Sequence, residues 1–135
     1  MIKDNLKRLS TVNSIPFISR TATVNGSGVD LKGYESATLV ATMGAWAGNQ
    51  GTWVFTTGES DDNSTFTTVD ADVDIIGTEP TLSGQINRVF GEWGYKGTSR
   101  YIRATATLTG GGVATYFGVN VVRGSKRHGP PTAAS

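Results

Sequence analysis

Asp70, Asp72 and Asp74 alternate along the chain just after an acidic run, Glu59-Ser60-Asp61-Asp62-Asn63. Carboxylates and amides grouped in this way can bind a cation, supply the acid pair of a hydrolase, or stabilise turns. An EF-hand loop needs glycine at its sixth position and glutamate at its twelfth. Counting from Asp61, those positions hold Phe66 and Asp72. A hydrolase pair needs a fixed separation and one carboxyl group kept protonated by burial. In an extended chain the three aspartates share one face, and Ala71, Val73 and Ile75 take the other, inward face. That leaves the carboxylates in water, where charge discourages sheet-to-sheet pairing. Asp and Asn bond nearby backbone N–H groups and tolerate left-handed geometry. VFTTGESDDNSTFTTV therefore reads as strand, polar tip, strand, and the expectation is a protein that is not an enzyme.

Other chemistry has few candidates. There is no cysteine, which excludes disulfides, thiol catalysis and thiolate metal sites. The single histidine, His128, rules out a multi-histidine zinc site and lies too near the end of the chain for a Ser-His-Asp triad. No metal or cofactor is expected. The glycine-rich stretches lack the Lys-Ser/Thr ending of a phosphate loop. Twelve basic and eleven acidic residues give a net charge of +1, so no general attraction to nucleic acid is expected. The apolar runs fall far short of a membrane span, and the basic start MIKDNLKRLS has no apolar stretch behind it. The reading is a soluble protein that contacts neither nucleic acid nor membrane.

The elements that would position these residues are strands. Glycine occurs 18 times, and short Val, Ile, Phe, Tyr and Trp segments alternate with threonine. In SRYIRATATL, Ile102, Ala104, Ala106 and Leu108 share one face. Tyr101, Arg103, Thr105 and Thr107 share the other. VATYFGVNVV puts Val113, Thr115, Phe117, Val119 and Val121 together, and GGG between the two suggests a C-terminal hairpin. SATLVATMG aligns Ala37, Leu39, Ala41 and Met43. GTWVFTTGES is its returning strand, with either Trp53 and Phe55 or Val54 and Thr56 inward. Further strands are expected within 20–25 and 86–95. The expected fold is all-β, an antiparallel β-sandwich or jelly-roll-like domain over residues 19–123. Residues 1–18 form an N-terminal arm and 124–135 a flexible, basic, proline-containing tail.

Surface candidates belong to adhesion. Leu6, Leu9, Val12, Ile15 and Phe17 would make the arm an apolar strap. Trp46, in a glycine-rich loop, would anchor a partner, and Arg123, Lys126 and Arg127 would meet an acidic surface. Tyr95, Lys96, Arg100, Tyr101 and Arg103 form a basic-aromatic group of the kind enriched in protein contacts.

VDLKGYESATLVATMG, ESDDNSTFTTVD, IIGTEP, GYKGTSRYIRATATLTGG and VNVVRGSKRHGP, in this order, resemble a family of small virion proteins of tailed phages. The resemblance runs from about Thr11 to Pro130. It implies a capsid decoration or cement protein that binds the major capsid protein on the outside of the assembled head. Such a protein would be made in the host cytoplasm and found on the virion. A homo-oligomer is expected, and a trimer would fit a capsid symmetry axis. The alternative is a tail or head–tail accessory module recognising a host surface glycan, with Trp46, Trp53, Trp93 and Tyr101 as stacking faces.

Overall fold

Period-two alternation of β-branched and aromatic residues gives a chain of strands among the residues that the computed structural model describes. These are 10–46, 51–82, 89–110 and 115–126, without the side chains of Ser19, Ala45, Trp46, Phe90, Ser125 and Lys126. The strands are β1 (Ser10–Arg20), β2 (Val24–Asn25), β3 (Val29–Asp30), β4 (Tyr34–Trp46), β5 (Thr52–Ser60) and β6 (Thr67–Thr68). A single helical turn, α1 (Ala71–Asp74), leads to β7 (Ile75–Gly77), β8 (Thr81–Leu82), β9 (Val89–Tyr95), β10 (Tyr101–Thr109) and β11 (Thr115–Lys126).

They form two antiparallel sheets. One has the order β1-β11-β4-β9-β7 and is called the β1 sheet. The other runs β2-β10-β5-β6, with β3 also paired to β10 and β8 to β5, and is called the β10 sheet. The inner faces meet in one core. From the β1 sheet come Ile15, Leu39, Ala41, Trp93, Phe117, Val119 and Val121. From the β10 sheet come Trp53, Phe55, Leu82, Ile102, Ala104 and Ala106. Phe117 stands edge-on to Trp53, with ring centroids 4.7 Å apart, and to Phe55 at 5.3 Å. Each such fully buried side chain contributes roughly 1.5–3 kcal/mol. The domain is an all-β sandwich, as expected.

Both open edges of the sandwich are bridged. At one, buried Ser14 of β1 accepts a hydrogen bond at Oγ from Ala104 N (2.9 Å), and its hydroxyl donates to Ser27 O (3.0 Å). At the other, the Trp93 indole N–H donates to Thr57 Oγ1 (2.7 Å), whose hydroxyl donates to Glu79 Oε2 (2.7 Å).

The structure corrects several expectations. β10 and β11 are not a hairpin, since they lie in different sheets, as do β4 and β5. Alternation tells which face of a strand is buried, and that face is the same for a hairpin and for a crossing between sheets. The ambiguity in β5 resolves with Trp53 and Phe55 inward and Val54 39% exposed. Residues 10–18 are not an arm, because β1 pairs along β11 from Ser10↔Arg123 to Arg20↔Thr115. Likewise β11 continues to Lys126, past the expected boundary at residue 123.

Candidate functional site

The acidic stretch folds by local hydrogen bonding. β5 and β6 pair through Gly58↔Thr68 and Glu59↔Thr67, so the expected hairpin forms around residues 61–66. Asp62 Oδ1 accepts from Ser60 Oγ (2.8 Å), Ser64 N (2.9 Å) and Thr65 N (2.9 Å). These bonds, the backbone ones first, hold its carboxyl group below the usual pKa. Asn63 takes the left-handed conformation, φ 59°. The alternating aspartates, however, are not in an extended edge. Asp70 caps α1 by accepting from Asp72 N (3.0 Å), and Val73 N and Asp74 N donate to its carbonyl. Val73 is consequently 56% exposed instead of facing inward, while Ile75 is buried. Among the described residues no three His, Cys, Asp or Glu side chains come together as metal ligands.

The basic-aromatic group separates into individual pairs. Arg100 grips Asp30 with two bonds, Nε to Oδ1 (3.0 Å) and Nη2 to Oδ2 (2.9 Å), and this pairing lowers the Asp30 pKa. Arg103 lies over the Phe66 ring at 4.3 Å, and Arg123 over Tyr34 at 4.5 Å. Tyr95 is 5% exposed. Its hydroxyl donates to Glu59 Oε1 (2.6 Å) and accepts from Ser99 N (3.0 Å). Burial, then the bond to Glu59, pushes its pKa up to about 12.

These pairs frame one end of the sandwich. Arg123 points from β11 toward the β10 sheet, where Nη1 donates to Asp30 O (2.8 Å), and Nη2 donates to Ser10 Oγ. Beside it a cleft of about 580 Å³ is lined by Tyr34, Glu35, Tyr95, Ser99 and Arg100 among others. Ser10↔Arg123 and Tyr34↔Lys126 are cross-strand neighbours here, so the start of β1 and the end of β11 lie at this end.

The candidate contact residues are dispersed. Ile15 is fully buried and so cannot hold a partner, and Val12 is half-buried against the core. Phe17 is 50% exposed and joins Tyr116 on the outer face of the β1 sheet, centroids 6.4 Å apart. Leu6, Leu9 and Arg127 lie outside the described residues, as do the side chains of Trp46 and Lys126. Trp53 and Trp93 are 0% and 1% exposed and offer no stacking face. Tyr116 was missed in the sequence, although its place between inward Thr115 and Phe117 marks it as an outward aromatic. Nothing local signals the Asp30–Arg100 or Tyr34–Arg123 pairs, which join distant parts of the chain.

No family model matches the sequence, and no curated protein matches it. The fold does have a counterpart among solved structures. The crystal structure of SPBc2 prophage-derived protein YomS superimposes with a TM-score of 0.56 over 87% of this chain and 93% of that one. With 9% identity between the two, the shared property is the fold: this chain has the β-sandwich of a prophage-derived protein.

Proposed function

We propose that the protein is a structural component of a tailed phage, a decoration or cement protein that attaches to the major capsid protein on the assembled head. The carrying observation is the pairing of β1 with β11 at Ser10↔Arg123, which brings the start of β1 and the end of β11 to one end of the sandwich. Residues 1–9 contain Leu6, Leu9, Lys3, Lys7 and Arg8, and residues 127–135 begin with Arg127 and His128. Apolar and basic groups therefore adjoin, in the sequence, the ends of β1 and β11 where the Tyr34–Arg123 pair lies. On a repeating lattice many individually weak attachments add up, because each later contact is effectively intramolecular. The fold shared with a prophage-derived protein supports a phage origin. The function is adhesion and not catalysis.

The test is co-sedimentation with purified heads and, separately, purified tails of the parent phage. Full-length protein should pellet with heads. Chains lacking 1–9, 127–135 or both should stay folded and bind progressively less. Retention by tails alone, or undiminished binding of the doubly trimmed chain, defeats the reading. The glycan alternative loses Trp53 and Trp93 as stacking groups because both are in the core.

A further inference from the structure

β4 runs on past the end of its pairing with β9. On one side it stays paired with β11 down to Tyr34↔Lys126. On the other side its pairing with β9 ends at Ala37↔Tyr95. There Lys96 turns away, and its N–H donates to Asp74 O just before β7 (2.8 Å). The chain is fixed again at Ser99, whose N–H donates to the Tyr95 hydroxyl (3.0 Å), and at Arg100, which pairs with Asp30. This departure of β9 from β4 opens the cleft of about 580 Å³ at the end of the sandwich. Residues 31–37 form one wall, and Tyr95 with 97–100 forms the other.

Leu31, Tyr34, Ala37 and Tyr95 give the cleft an apolar and aromatic lining. Its rim carries exposed Lys32 and Glu35, whose charges offset one another. Charge therefore does not choose the occupant, and position and shape do. Lys126 stands directly across from Tyr34, so the segment that follows β11 starts at the rim. The way round the end of β4 is open. It passes Gly33, which takes φ 89° and has nothing within 4 Å of the place a Cβ would fill.

We infer that the segment Arg127 to Ser135 docks in this cleft of its own chain, with Gly129-Pro130-Pro131 along the wall of Tyr34 and Tyr95. Reach agrees. Passing from β11 to the far side of β4 takes two strand spacings, about 10 Å, or roughly three extended residues. Arg127, His128 and Gly129 supply these, and Gly129 tolerates the turn into the cleft. Pro130 to Ser135 then remain, and in polyproline geometry they cover up to about 19 Å. The β4 wall from Tyr34 to Ala37 needs roughly 10 Å. Chemistry agrees as well. Consecutive prolines hold an extended shape before docking, so little conformational freedom is lost, and such segments settle on aromatic-lined grooves. The tether supplies an effective concentration on the order of millimolar, so a weak contact is enough.

The inference concerns the isolated chain and so stands or falls apart from attachment to heads. On a virion, cleft and shell would compete for the same residues. Amide NMR spectra of the full chain and of a chain ending at Lys126 should differ at Ser36, Gly97 and Ser99 and agree at Thr107, on the outer face of the β10 sheet. A synthetic peptide of the sequence Arg127 to Ser135, added to the shortened chain, should move the same peaks back and saturate, and should leave the full chain unchanged. Replacing both prolines of the peptide by glycine should weaken its binding at least fivefold. Thr98→Trp in the shortened chain, which fills the cleft from an exposed position, should do the same. Because the chain has no cysteine, new ones report geometry cleanly. Ser36→Cys together with Ala133→Cys should be joined within one chain by a short bis-maleimide. Identical spectra for the full and shortened chains overturn the proposal, whatever the heads bind. A link formed only between copies gives the cleft to a neighbour's tail and overturns docking within the chain. Peptide binding indifferent to Thr98→Trp places the segment elsewhere and overturns it too.

Discussion

Ser14 and Tyr95 show how single polar atoms hold the two sheets in register. Ser14 Oγ, itself fully buried, accepts from the buried Ala104 N–H and donates to the Ser27 carbonyl. Ser14→Ala leaves the buried Ala104 N–H unsatisfied, which should cost about 1–3 kcal/mol, read as a lower urea midpoint with an unchanged slope. Tyr95 works through its proton. In the folded chain it titrates at about 12, against an ordinary 10.0. Between those values the unfolded chain has lost the proton and the folded chain still holds it, so unfolding becomes easier as pH rises. Below pH 10 the contribution is complete, and it disappears toward pH 12. Urea melts at pH 8 and pH 11 should show a fall in stability that is smaller in Tyr95→Phe than in the natural chain. Equal falls in the two proteins would mean that other groups cause the alkaline loss.

At the level of elements, β1 decides what can be cut away. Its Ile15 is in the core and its whole length pairs with β11. Deleting residues 1–9 should leave the near-ultraviolet circular dichroism intact. Deleting 1–18 removes an edge strand, Ile15 and the Ser14 bridge together and should abolish cooperative unfolding. Ile15→Ala alone should cost roughly 2–5 kcal/mol. The same element shows what the sequence could tell. The inward faces of β4, β10 and β11 were legible because Leu39, Ile102 and Val119 recur in strict alternation with polar neighbours. The strand character of 10–20 was not, since Pro16 and the register shifts near Ile15 interrupt its period. The spacing of Leu6, Leu9 and Val12 suggested instead an arm. Strand partners were also hidden, because pairing depends on residues far apart in the chain. Of the candidate contacts, Phe17 was recognised as apolar, but Gly44, where a Cβ would lie 2.6 Å from the Phe17 ring, was not. A glycine in a strand signals a close approach without saying what approaches.

The molecule as a whole can close only when its last strand arrives. β11 lies between β1 and β4 in its sheet, and Phe117 meets Trp53 and Phe55 across the core. Without β11 the first strand has no neighbour in the β1 sheet, and Trp53 loses the ring against which it packs. Long loops must therefore close before the largest apolar contacts form, and such topologies fold in milliseconds to seconds, not microseconds. Trp53 and Trp93, one from each sheet and both fully buried, provide the signal. Stopped-flow refolding should show their fluorescence change in one slow phase in that range, and Phe117→Leu should slow it or reduce its amplitude. A chain ending at Thr109 should be cut rapidly by protease at concentrations that leave the full chain whole. A protease-resistant core in that fragment would mean that the β10 sheet folds by itself, and the closing role assigned to β11 would then be wrong.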